Sequence, residues 1–229
     1  MNALCLFDLD DTLLPIDSDH AWGEFVVRLG WVDEAEFRRR NDAFYAEYKG
    51  GQLDIHAYIE FATAPLRVRD AATLAAAQAR FMREVIAPQI RPAALELVRS
   101  HQSQGDLVAL VTATNDFITA PIAAAFGVEH LIAVRLERGP GRTITGRILG
   151  VPSYREGKVL RVEEWLGGLG QAWSSFGAIT CYSDSLNDLP LLERAHHPVA
   201  TNPTAALEAL ARERGWRVLR LFNDQEIHR

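Results

Sequence analysis

The chain has 229 residues, 48% of them hydrophobic and 24% charged, with a formal net charge of −6. A chain of that length buries a substantial core, and its composition is that of a folded protein rather than a disordered one. The acidic balance supplies no broad basic face for nucleic acid or an anionic membrane, although a phosphate pocket could still be locally positive.

The chain runs at once into Ala3-Leu4-Cys5-Leu6-Phe7, with no basic leader, and that run is too short for a signal or membrane-spanning segment. The expectation is a cytoplasmic protein with no membrane partner. Cys5 and Cys181 each sit in an apolar stretch and read as small buried residues rather than a disulfide or ligand pair. Ala3 to Phe7, Leu107 to Val111 and Ala178 to Tyr182 are nearly uninterrupted apolar runs, the pattern of strands buried on both faces of a parallel sheet. Further strands are predicted at His130 to Leu136, His197 to Ala200 and Trp216 to Leu221, separated by helical segments. The predicted fold class is α/β, a doubly wound parallel sheet.

Between the first two strands lies an interval of roughly ninety residues, several times an ordinary crossover, and its pattern is helical. Phe37, Phe44 and Tyr48 share a helical face before Gly50-Gly51; Ile55, Ile59 and Ala62 share another behind Asp54 as N-cap; a further helix is predicted from Asp70. Residues 15–90 are therefore expected to form a small helical domain inserted into an α/β domain made of 1–14 and 91–229, with a helix from Pro92 returning to the sheet. The aromatic residues of the insertion read as its core, with some available to line a pocket. Arg138-Gly139-Pro140-Gly141 and Thr145-Gly146-Arg147 predict the turns of a β-hairpin without chemistry of its own.

The chemistry is concentrated after the three apolar strands. The first ends in Asp8-Leu9-Asp10-Asp11-Thr12, two carboxylates one residue apart at the carboxyl end of a buried strand, where parallel sheets bind ligands. The second ends in Thr112-Ala113-Thr114-Asn115-Asp116, hydroxyls and backbone N–H groups beside a helix start that suits an anion. The third ends in Ser183-Asp184-Ser185-Leu186-Asn187-Asp188, with two more carboxylates, the oxygen ligands that hard cations prefer. Lys158 follows Gly157 at the start of an amphipathic stretch. Each feature alone is ordinary turn or cap chemistry; their arrival together at one sheet edge is not.

Asp8-x-Asp10-x-Thr12, Thr112, Lys158 and Asp184-x-x-x-Asp188, in that order, resemble the four signature motifs of the haloacid dehalogenase superfamily. The insertion after the first strand resembles the helical cap of its phosphoserine phosphatase-like branch. The resemblance implies a phosphatase in which Asp8 is the nucleophile, forming an aspartyl phosphate, and Asp10 the general acid and then base. It implies Mg²⁺ held by Asp8, the Asp10 carbonyl and Asp184, with Asp188 orienting the metal's water ligands and Thr12 fixing the loop. Thr112 and Lys158 would hold the phosphoryl oxygens, with Asn187 helping to position the reacting groups. A helical lid implies a small soluble phosphomonoester as substrate. Asp17, Asp19 and Arg67 are the cap-side candidates for recognising the leaving group. Ala113-Thr114-Asn115 stands where phosphoserine phosphatases usually carry glycines, which tells against phosphoserine itself; Ser183-Asp184-Ser185 replaces the usual Gly-Asp-Gly but keeps the ligands. The seven histidines form no metal-binding spacing. The competing readings are a phosphomutase using the same intermediate and a phospho-acceptor signalling module, whose receiver arrangement lacks this motif order. No motif specifies an oligomeric state.

Overall fold

In the computed structural model, which describes residues 3–222, the three apolar runs lie side by side. The first is β1 (Ala3–Phe7), the second belongs to β2 (Leu107–Asn115) and the third to β6 (Ala178–Ser183). With β3 (His130–Val134), β7 (His197–Thr201) and β8 (Arg217–Leu219) they form a six-stranded sheet in the order β3-β2-β1-β6-β7-β8. Every pairing in it is parallel. Helices α5 (Pro92–Ser103) and α6 (Asp116–Ala125) cover one face; α7 (Glu156–Gly168), the short α8 (Leu189–Leu192) and α9 (Ala205–Arg214) cover the other. The absence of alternation in the strands follows directly. Cys5 and Phe7 pack with Ala94, Val98 and Ile118 on one side, while Leu4 and Leu6 pack with Val162, Leu166 and Leu191 on the other. The chain builds outward from β1 to β3, then crosses back to β6, so the strand order reverses between β1 and β6. That switch point opens a crevice at the carboxyl ends of the strands.

β6 and β7 each run one residue past the sequence reading, to Ser183 and Thr201, and three boundaries differ by more. β2 continues through Thr112 to Asn115 instead of stopping at Val111, because its pairing to β3 shifts register between Val111 and Asn115. β3 stops at Val134, and Leu136 opens β4 (Leu136–Arg138), which pairs with β5 (Ile144–Ile148) as the expected antiparallel hairpin. β8 keeps only Arg217–Leu219 of the predicted run.

Residues 15–90 contain α1 (Ser18–Arg28), α2 (Glu34–Lys49), α3 (Ile55–Arg67) and α4 (Ala71–Phe81). Each begins on an aspartate whose carboxylate accepts first-turn N–H groups: Asp17, Asp33, Asp54 and Asp70 in turn. Their apolar faces meet through aromatic rings, with Phe37 stacked on Phe61 at 4.6 Å and Trp22 edge-on to Phe81 at 5.0 Å. α3 also packs on the β4–β5 hairpin. Among the described residues no helix is long and apolar enough to cross a membrane.

Candidate active site

β1 ends at Phe7, and its next N–H, that of Asp8, still donates to the Tyr182 carbonyl of β6 at 3.0 Å. The Asp8 side chain is thereby fixed at the crevice. The loop beyond it turns back at once: the N–H groups of Leu13 and Leu14 donate to the Leu9 carbonyl, and Asp11 sits at φ 56°. Asn202 clamps it from the far side, its side-chain amide donating to the Asp11 and Thr12 carbonyls at 3.1 Å.

Lys158 is 1% exposed and lies between two carboxylates, its Nζ 2.8 Å from Asp8 Oδ1 and 2.7 Å from the Asp188 carboxylate. It occupies the first turn of α7, next to Gly157, where a Cβ would fall 2.1 Å from the Pro152 carbonyl oxygen. Only glycine lets the helix start so close to the preceding turn and deliver the lysine inward. Burial works to lower the ammonium's pKa, but Asp188 and Asp8 hold it above its ordinary value, so Lys158 is a fixed positive charge. Ser183 donates its hydroxyl to Asp188 at 2.8 Å, completing that carboxylate's shell.

On the other side of Asp8, the Thr12 hydroxyl lies 3.2 Å from Asp8 Oδ2 and 3.4 Å from Asp184 Oδ1. Residues 8 and 184, from different strands, thus come within reach of one hydroxyl. Burial raises the Asp8 carboxyl to about 7 although the Lys158 ammonium opposes it. Asp184 is pushed well above the ordinary carboxylate range by burial, with the Asp8 and Asp11 carboxylates adding to it. Two buried carboxylates facing each other with insufficient positive charge nearby form a donor set of hard oxygens suited to a divalent cation. Among the described residues no three His, Cys, Asp or Glu side chains converge on one point. An ion here would therefore take two carboxylates, a backbone carbonyl and water, as Mg²⁺ commonly does.

Asp10 points toward the helical insertion. Its Oδ1 accepts the Ser18 N–H at 2.7 Å and its Oδ2 accepts the Thr114 hydroxyl at 2.7 Å. Burial and then the Asp17 carboxylate raise it to about 7, against those hydrogen bonds. A carboxyl poised near neutrality can give and take a proton at working pH. Thr112 is buried, and its hydroxyl oxygen accepts the Thr114 N–H at 3.1 Å.

The remaining predicted residues divide. Asp17 and Asp19 line a cleft between Asp10 and the insertion, a narrow cavity of about 30 Å³ walled by Phe44, Tyr45, Tyr48 and Tyr58. Arg67 does not line it; it is exposed, donates to the Glu60 carbonyl at 3.3 Å and lies against Gly146 of the hairpin. Asn187 directs its amide to the Tyr48 carbonyl at 3.0 Å, so it ties the strand edge to the end of α2. Arg155 makes a similar tie to the Gly51 carbonyl at 2.8 Å, and Lys49 to Asp11 at 2.5 Å.

Sequence reasoning missed three site residues. Thr114 shares a strand face with Thr112, and that period of two was the signal for it. Tyr48 shares a helical face with Phe37 and Phe44 in the sequence, with nothing to single it out; it lines the cleft, and burial with the Asp8 and Asp188 carboxylates pushes its phenol well above the ordinary range, which keeps it a hydroxyl donor. Nothing local marks Lys49.

Against known proteins, a family model described as haloacid dehalogenase-like hydrolase matches residues 5–193. A histidinol-phosphatase of Neisseria meningitidis serogroup C is 44% identical over 219 residues, covering 96% of this chain and 99% of that one. A crystal structure from Bordetella pertussis Tohama I, of a protein of unknown function, superposes with a TM-score of 0.92 at 51% identity, covering 97% of this chain and all of that one (100%). A substrate-bound phosphoserine phosphatase superposes with a TM-score of 0.67 at 17% identity, covering 96% and 93% of the two chains, a likeness of fold.

Proposed function

The chain belongs to the haloacid dehalogenase-like hydrolases and is a phosphoric monoester hydrolase, and from that premise we propose that it is a Mg²⁺-dependent, cytoplasmic phosphatase that works through an aspartyl phosphate on Asp8. The observation that carries the reading is the pair of bridges at Asp8: Lys158 to one oxygen and the Thr12 hydroxyl, shared with Asp184, to the other. Lys158, 150 residues away in sequence, and the neighbouring Thr12, which also reaches Asp184, hold one carboxylate in place in the crevice, as a nucleophile requires.

In the first half-reaction an Asp8 oxygen bonds to phosphorus as the bond from phosphorus to the leaving alkoxide breaks, and Asp10 gives its proton to that alkoxide. In the second, Asp10 takes a proton from water, the resulting hydroxide attacks the aspartyl phosphate, and the Asp8 carboxylate is released with inorganic phosphate. The Lys158 ammonium, the Thr112 hydroxyl and the backbone N–H groups after Asp8 hold the phosphoryl oxygens. Asp8, Asp184 and the Asp10 carbonyl are suited to hold Mg²⁺, whose chemistry is to draw charge from the phosphoryl oxygens. Asp188 fixes Lys158 and supports the metal side of the site.

Residues 15–90 act as a cap. Asn187, Arg155 and Lys49 tie it to the sheet edge, and it withdraws for binding by breaking those ties. The narrow cleft beneath it favours a small phosphorylated metabolite over a macromolecule. Histidinol phosphate is the first candidate, because the Neisseria relative matches over nearly its whole length. The test is phosphate release from a panel of histidinol phosphate, phosphoserine and an aryl phosphate, with Mg²⁺ and with chelator, for the wild type and Asp8→Asn. Turnover that vanishes in Asp8→Asn while the fold persists supports the nucleophile; full activity in that variant would remove it.

A further inference from the structure

The cleft above Asp10 has an unbalanced lining. Three carboxylates, Asp10, Asp17 and Asp19, face it, and no arginine or lysine does. Two of the three are committed within the protein. Asp10 accepts from Ser18 and Thr114, and Asp17 accepts the Asp19 and His20 N–H groups as the cap of α1. Asp19 is different: it is 8% exposed, its carboxylate meets the Tyr58 hydroxyl, and its Oδ1 has no hydrogen-bond partner. A buried carboxylate oxygen left without a donor costs free energy comparable to a lost hydrogen bond or more. In a cleft above the reacting groups such an oxygen is open to a ligand that brings a donor.

What would complete it is a cation. The oxygen accepts only a donor, its neighbours are acidic, and the walls around it are the rings of Phe44, Tyr45 and Tyr58, whose faces also attract positive charge. An incoming carboxylate, by contrast, would meet three acidic side chains, no arginine or lysine, and a histidine, His20, that is already paired with Asp42.

Resting on the phosphatase reading above, we propose that Asp19 selects the substrate, its free oxygen receiving the ammonium or imidazolium of a phosphomonoester whose leaving alcohol is cationic and carries no carboxylate. Tyr58 fixes the orientation of that carboxylate, and the aromatic walls exclude water from the pair.

The experiment compares kcat/KM, with Mg²⁺ present, for histidinol phosphate, phosphoserine and p-nitrophenyl phosphate. In the wild type the cationic ester is preferred to the aryl ester by on the order of 100-fold, and phosphoserine ranks below both. In Asp19→Asn the ratio of cationic to aryl ester falls by about 30–100-fold, and Asp19→Glu restores part of it. A merely structural role would lower both substrates together and leave the ratio where it was. Binding of the dephosphorylated amino alcohol histidinol, followed by calorimetry, weakens at least about tenfold in Asp19→Asn, and this readout needs no turnover. An unchanged ratio with unchanged histidinol binding in a folded variant, or a wild type that prefers phosphoserine, overturns the proposal. A wild type that releases phosphate from none of the esters overturns the phosphatase reading instead, and histidinol binding then still decides whether Asp19 receives a cation.

Discussion

Replacing Lys158 by methionine keeps the length of the side chain and removes its charge. The lysine is 1% exposed and within 2.8 Å of two buried carboxylates, which lose their common partner in the variant. Breaking a buried ion pair by removing one member costs about 3–5 kcal/mol, because the surviving charge is left uncompensated. With a urea m-value of about 2–3 kcal/mol/M, the unfolding midpoint should drop by roughly 1–2.5 M. Part of the loss should return when Asp188→Asn is added, since one of the two stranded carboxylates is then neutral; a double-mutant cycle isolates that coupling. Turnover should fall by about 10²–10³-fold through loss of charge stabilisation at the phosphoryl group. Equilibrium urea denaturation at pH 7.5 and initial-rate phosphate release check both halves. A midpoint within about 0.3 M of wild type, together with a coupling near zero, would show that Lys158 does not carry the ion-pair role assigned to it.

Asp184→Ala should raise the Mg²⁺ concentration needed for half-maximal activity by more than about tenfold, and a titration curve superposable on that of the wild type would remove Asp184 as a ligand. In the presence of chelator, stability should fall as pH rises from 4 toward 7 and level off above it. Burial pushes Asp8 and Asp10 up to about 7 in the fold and Asp17 up to about 6, against 3.8 for an unperturbed aspartate. Between those values the folded protein binds protons that the unfolded chain has released, so each rise in pH there favours unfolding. A displacement of even one unit is worth about 1.4 kcal/mol, so urea unfolding at pH 5 and pH 8 should differ by at least that amount. A stability that is flat or increases across this window would contradict the burial of these carboxylates.

The strands that frame the site were legible because burial on both faces leaves a local mark, an apolar run closed by polar residues. Asp8, Asp10, Asp184 and Asp188 were found as positions on that pattern, since a strand end fixes where its next side chains emerge. Their partnerships carry no such mark. Thr114 reaches Asp10 across 104 residues and Asn187 reaches Tyr48 across 139, and neither pair has any spacing for a reader to detect. Lys158 in isolation had the appearance of an exposed lysine at a helix start; its inward course depends on the closeness of Gly157 to Pro152. Arg67 reads in the sequence as a charge that could meet a substrate, yet the packing of α3 on the hairpin carries it to the surface. Aromatic residues of the insertion illustrate the same limit. Helical periodicity groups Phe44 and Tyr48 on one face, but whether a face meets another helix or a cleft depends on a neighbour that the segment does not encode.

The central place of β1 also bears on how the molecule is made. Its neighbours are β2 on one side and β6 on the other, and β6 begins only at Ala178. During synthesis the helices of residues 18–81, built from contacts close in sequence, can assemble early, whereas one flank of Ala3–Phe7 waits with bare peptide groups until Ala178–Ser183 leaves the ribosome. Asp184 and Asp188 lie beyond that same strand, so a fragment ending before residue 178 should release no phosphate and should self-associate along the unpaired edge of β1, which turnover and light scattering of the fragment would check.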